Sequence, residues 1–108
     1  MLISDVITLA RDPLNDAAGD RYTDAQLLAF GRQALNEARR LRPDLFIGKF
    51  SMNLSALVAT DALPIPDEFA QAIADFIAGR AELRDDEHVN SGRAVALAKL
   101  FSQALTGR

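Results

Sequence analysis

The sequence predicts an all-α domain: a small four-helix bundle with a long, partly extended connection between its second and third helices. Three observations carry that expectation. Apolar residues recur at spacings of three and four in four separate stretches, and Pro, Gly and Asp punctuate the gaps between them. The segment between the second and third stretches follows neither a helical nor a strand period. At 108 residues, the chain 1–108 reads as one domain around one core. Its composition, 49% hydrophobic and 25% charged, belongs to a chain that folds, because disorder needs low hydropathy and a large net charge.

The first helix is expected over 2–12, with Leu2, Ile3, Val6, Ile7, Ala10 and Leu14 on one face. Pro13 is expected to end or strongly disturb it, since proline disfavours the α conformation in the residue before it. Residues 15–20 read as a turn. The second helix has the clearest start. Thr23 and Gln26 fit a capping box, in which each side chain bonds the other's backbone N–H, and Asp24 suits the positive end of the helix dipole. Leu27, Leu28, Gly31, Ala34, Leu35, Ala38 and Leu41 form its apolar stripe, and Arg39, Arg40 and Arg42 crowd the last turn before Pro43 stops it.

From 44 to 66 the pattern changes. Phe46, Ile47, Phe50, Met52, Leu54, Leu57, Val58 and Leu63 are scattered, and the segment reads as irregular with one or two short strands. Connections of this length are uncommon inside small domains and usually carry function. This one is too apolar to lie open, so something must cover it. The third helix opens at Pro64-Ile65-Pro66-Asp67-Glu68, with prolines at the entry and carboxylates in the first turn. Its stripe is Phe69, Ala72, Ile73, Phe76, Ile77 and Leu83, and it ends near Arg84. A polar connection, Asp85-Asp86-Glu87-His88, leads to a fourth helix that begins between Glu87 and Ser91 and runs to about Thr106. Ala94, Leu97, Ala98, Phe101, Ala104 and Leu105 are expected to make its buried face, with Gly107 as the stop.

Catalytic chemistry has no foothold in these residues. There is no Cys and one His, and His88 lies in an acidic turn where nothing tunes it as a base or completes a metal site. Asp12, Asp16, Asp20 and Asp24 recur at fours, which is not the spacing of a calcium loop. Gly48-Lys49 lacks the upstream glycine of a phosphate loop, and no Gly-x-Ser-x-Gly elbow occurs. No catalytic, cofactor or metal residue is therefore assigned, and the chain is expected not to be an enzyme. No apolar run approaches the ~18 residues of a membrane span, and the start has no basic segment of a signal peptide. A soluble protein made in the cytoplasm is the expectation. Arg32, Arg39, Arg40 and Arg42 allow two readings, a strip for nucleic acid or a set of salt bridges. Glu37 and Asp44 are interleaved with them and no aromatic platform accompanies them, which favours salt bridges.

Three stretches, in order, resemble the head–tail connector, or adaptor, proteins of tailed double-stranded DNA bacteriophages. The first is 7–14 with Asp16, then Gly19-Asp20-Arg21-Tyr22-Thr23-Asp24 leading into Gln26-Leu27-Leu28. The second is Ala34-Leu35-Asn36-Glu37 with Leu41-Arg42-Pro43-Asp44-Leu45-Phe46. The third is Leu63-Pro64-Ile65-Pro66 with Phe69, then 81–86 and the closing 101–105. The resemblance implies a structural, non-enzymatic virion protein at the phage neck. It implies a homo-oligomeric ring, typically dodecameric, docked on the portal protein and bridging it to a tail or stopper protein. DNA passes through the lumen without sequence-specific binding, there is no membrane partner, and no catalytic residue is carried over. The family's long docking tail has no counterpart after the fourth helix, where Gly107-Arg108 follow.

Within that expectation the 44–66 segment is the candidate subunit or partner surface, with Phe46, Phe50, Leu54 and Leu57 as anchors. The other reading stays open: the same residues fold back over their own bundle. A small helical DNA-binding or regulatory protein, and an accessory subunit of an enzyme complex, are the rival functions.

Overall fold

The computed structural model describes residues 1–14, 22–48, 51–84 and 91–107. The side chains of 13, 82–84 and 91–94 lie outside that description. The expected calcium-unlike turn at 15–20, Phe50 and His88 also fall outside it. Four helices form among the described residues: α1 (Ile3–Leu14), α2 (Asp24–Leu41), α3 (Ala70–Arg84) and α4 (Ser91–Thr106). They make the expected all-α bundle with an irregular connection between α2 and α3.

The first N–H groups of a helix have no partner inside it. In α1 they are capped from a distance. Ile3 N donates to the Asp61 carbonyl at 3.0 Å and Ser4 N to the Ala59 carbonyl at 2.9 Å, while Asp5 accepts from Leu2 N at 2.9 Å. Helix α1 then runs through Pro13 to Leu14, beyond the expected stop. Pro13 sits in the last turn, where it forfeits the N–H bond to the carbonyl four residues back, a cost of up to the ~3 kcal/mol of a helix interior. Leu14 is buried in the core, and burying a leucine is worth about 1.5–3 kcal/mol. Burial wins. Arg11, also buried, donates to the Tyr22 carbonyl and to Asp24, which ties α1 to the start of α2 and leaves the buried charge paired.

The capping box of α2 is formed as read: Gln26 N donates to Thr23 Oγ1 at 3.2 Å and Thr23 N to Gln26 Oε1 at 2.9 Å. The helix closes at Arg42, whose N–H reaches the Ala38 carbonyl at 2.7 Å. Pro43 then opens a 3₁₀ turn, Pro43–Phe46. A second such turn covers Leu54–Ala56, and a third, Asp67–Phe69, leads into α3. The short strands expected in the connection are absent among the described residues, which hold only an isolated antiparallel bridge between Leu2 and Ala62. The physical reason is that backbone groups of 57–63 are taken by Arg32, by the first amides of α1 and by the Met1 carbonyl, so no second strand is needed to satisfy them.

Helix α3 is the centre of the molecule, with α1, α2 and α4 all packed on it. The one-sided stripe expected there is too narrow. Ala70, Ala74, Ala78 and Ala81 are buried as well as Ala72, Ile73, Phe76 and Ile77, so buried surface extends well around the helix and leaves Gln71 and Arg80 toward solvent. The alanines let three neighbours approach closely. Helix α4 is the opposite case. It buries Leu97, Phe101 and Leu105, a single line at intervals of four, and Phe101 meets Phe76 with ring centroids 4.9 Å apart in a tilted pair. Ala98 and Ala104, expected to be buried, are exposed. Gly107, at φ 74°, donates to the Gln103 carbonyl at 2.8 Å and ends the helix with a left-handed cap.

Candidate interaction surface

The anchors proposed from the sequence divide. Phe46 is 0% and Leu54 1% exposed, so both spend their apolar surface inside this chain's own core and offer none to a neighbour. Leu57 is half-buried against that core. Phe50 lies outside the described residues. Of the two readings of 44–66, the described part follows the fold-back: Phe46, Leu54, Leu63 and Ile65 join the cluster built on α1, α2 and α3.

The arginines of α2 hold this segment down. Arg32 Nε donates to the Leu57 carbonyl at 2.8 Å, and Arg39 donates to the Met52 carbonyl and to Asn36 Oδ1, both at 3.1 Å. Arg42 grips Asp44 with two bonds of 2.9 and 2.8 Å, donates to the Leu105 carbonyl and stands over the Phe69 ring at 5.9 Å. Arg40 pairs with Glu37 one turn earlier. The strip read from the sequence is therefore a set of straps, and its charge is committed to carbonyls and carboxylates of the same chain. These bonds also set local acidity. The Arg42 guanidinium holds the Asp44 carboxyl below its ordinary range, and the Arg40 bond does the same for Glu37.

Among the described residues, large apolar side chains that remain exposed fall in three places. Ile47, 73% exposed, projects at a turn that Gly48 makes with φ 80°. Met1, Leu2 and Val58 lie where the start of α1 joins the connection, a junction held by the Ile3, Ser4 and Leu63 backbone bonds. On α4, Val95 is 64% and Leu100 50% exposed, with Ala96, Ala98, Lys99 and Ala104 exposed beside them. The sequence reading missed this α4 face because it treated the alanines as buried. The signal available was the absence of charge: Lys99 is the one charged residue between Ala94 and Thr106.

Among the described residues no cluster of His, Cys, Asp or Glu could hold a metal ion, and no helix is long and apolar enough to cross a membrane. An apolar dimple between α1, α2 and α3, lined by Val6, Leu28, Gly31, Leu35 and Ile73 among others, has room for about 10 Å³, roughly one water. Compared with models of known protein families, with curated proteins and with solved structures, the chain finds no match.

Proposed function

We propose that this chain is a structural subunit of the neck of a tailed double-stranded DNA bacteriophage, a connector that forms a ring between portal and tail or stopper protein. Its work is mechanical. The ring prolongs the DNA channel and turns the portal's outer surface into one on which the tail machinery docks. The observation that carries the reading is that α4 keeps the apolar side chains of Val95 and Leu100 outside after the bundle has closed. Exposed apolar patches of this kind mark interaction sites, and a ring subunit needs surfaces that meet head to tail with a rotation that closes. The sequence likeness to connectors supplies the setting. A net charge of −3 suits a lumen through which DNA must slide, because each neutralised phosphate adds affinity and friction.

The test is binding to the neighbours this role demands. Purified chain is expected to co-sediment with portal assemblies, and labelled chain to appear at the neck of particles imaged by electron microscopy. Absence of affinity for both portal and tail components, with no chain at the neck, overturns the proposal.

A further inference from the structure

Helix α4 is the element least woven into the molecule. Helix α1 gives its first amides to the Asp61 and Ala59 carbonyls and its Arg11 to Tyr22 and Asp24, and the connection is strapped by Arg32 and Arg39. Between α4 and the rest of the chain, the described residues hold one hydrogen bond, from Arg42 Nη1 to the Leu105 carbonyl. Leu97, Phe101 and Leu105 are the buried side chains of 95–107. They dock on α3, and α4 has only sparse contact with α2. Large side chains fully enclosed among the described residues include Val6, Leu27, Leu35, Leu54, Ile73 and Ile77, and α4 adds Leu105 alone. The core of α1, α2, α3 and the connection is therefore substantial without α4. Arg42 does not depend on α4 for its position either. Two bonds to Asp44, 2.9 and 2.8 Å, and the Phe69 ring at 5.9 Å hold it at the end of α2. Phe76, the ring that Phe101 covers, also has Arg80 over it at 5.0 Å and keeps that partner when Phe101 leaves.

We infer that α4 is a latch: it leaves α3 as one unit while the α1–α2–α3 body stays folded, and Arg42 is the catch that holds it closed. An element with few buried contacts opens at less than the global free energy. A helix of 16 residues cut loose from its partner is marginal in water, so α4 loses its amide protection together with its docking. Asp44 acts as a positioning residue, because it fixes the guanidinium that reaches the Leu105 carbonyl. Opening changes the surface the chain presents, since Phe76 and the line of Leu97, Phe101 and Leu105 come out together. A partner that prefers the open form shifts the population toward it by that preference and no more. The latch needs nothing from the connector reading, because it is judged on exchange rates whatever the chain docks on.

The measurement is native-state hydrogen exchange of the full chain, read residue by residue by NMR over a series of low urea concentrations. Amides of α4 are expected to share one urea-dependent opening and to exchange about a hundred-fold or more faster than the slowest amides of α1, α2 and α3. Thr23→Ala weakens the body alone. It is expected to speed the slowest body amides about five-fold and to leave α4 exchange unchanged, because the closed and open forms lose the same cap. Arg42→Gln strips the Leu105 carbonyl of its charged donor and is expected to speed the whole of α4 about ten-fold. Asp44→Asn, whose bonds go to Arg42, is expected to speed α4 about two-fold. Phe101→Ala releases α4 along its length and leaves the body folded, with Tyr22 still in its buried setting. Three results overturn the latch: α4 amides that share the free energy and urea slope of the body, α4 exchange that rises with the body in T23A, or fraying of α4 residue by residue without urea dependence. Complete unfolding of F101A overturns it as well, since the body is then not independent of α4.

Discussion

The connection between α2 and α3 and the helix α4 are equally rich in apolar residues, and they end in opposite states. The connection has no regular structure, yet it is bound to the body by Arg32, Arg39 and Arg42, by the first amides of α1, and by the side chains of Phe46 and Leu54. Helix α4 satisfies its backbone bonds along its length, takes an outside donor at its end where Arg42 reaches the Leu105 carbonyl, and rests on α3 along one line of three side chains. An irregular segment must find partners for each N–H and C=O, and that demand draws it inward. A helix has no such demand. Its spare face is free to serve another molecule.

The largest effect that sharpens this contrast is Phe46→Ala. Removing a fully buried phenylalanine is expected to destabilise the chain by about 3–5 kcal/mol, measured by urea unfolding. A loss below ~1 kcal/mol would mean that the connection is not part of the core. Next comes Arg39→Ala, which strips the Met52 carbonyl of its charged donor at a half-buried position. An unsatisfied acceptor there costs about 1–3 kcal/mol, and the same unfolding series reads it. Thr23→Ala removes the cap of α2 and is expected to cost ~1 kcal/mol, an effect independent of the connection and so a calibration for the other two. On α4, Leu100→Asp is expected to move stability by no more than ~0.5 kcal/mol, as exposed substitutions do. If L100D unfolded the protein, α4 would be core on both faces and the contrast would fail.

Much of this fold was legible in the residues, and the failures have physical causes. The Thr23–Gln26 capping box, the stop at Pro43 and the cap at Gly107 are local, so sequence spacing suffices to place them. Helix α3 was underread because its burial is carried by Ala70, Ala74, Ala78 and Ala81, and alanine is at home on either side of a helix. The same ambiguity misplaced Ala98 and Ala104 on α4. What decides the buried line there is the Phe76–Phe101 pair, a contact between helices that no periodicity within α4 contains. Pro13 shows a local rule overridden by tertiary burial of its neighbour Leu14.

The candidate site was harder to read than the fold. Phe46 and Leu54 were marked as surface anchors because a large apolar residue in an irregular segment looks exposed when its cover is unknown. Their cover is held in place by arginine bonds to backbone carbonyls, and carbonyls carry no mark in a sequence. For the α2 arginines the expected salt bridges are present at Arg40–Glu37 and Arg42–Asp44, whereas the bonds of Arg39 and Arg42 to main-chain carbonyls 13 and 63 residues away left no sign in the sequence. The exposed part of α4 left one readable sign, its charge: 91–108 holds basic residues and no acidic ones.

The smallest expected effect is that of acid on the connection's first clasp. Asp44 titrates below its ordinary range because Arg42 bonds its carboxylate, and Glu37 does so because of Arg40. A carboxyl whose folded value is depressed stabilises the fold at pH above its unfolded value, and that contribution is lost as pH falls through the folded value. Urea midpoints are therefore expected to decline as pH drops through and below the usual carboxylate range. Asp44→Asn removes its share of that slope and leaves the rest. Both pairs are largely exposed, so the share is small and shrinks further in salt.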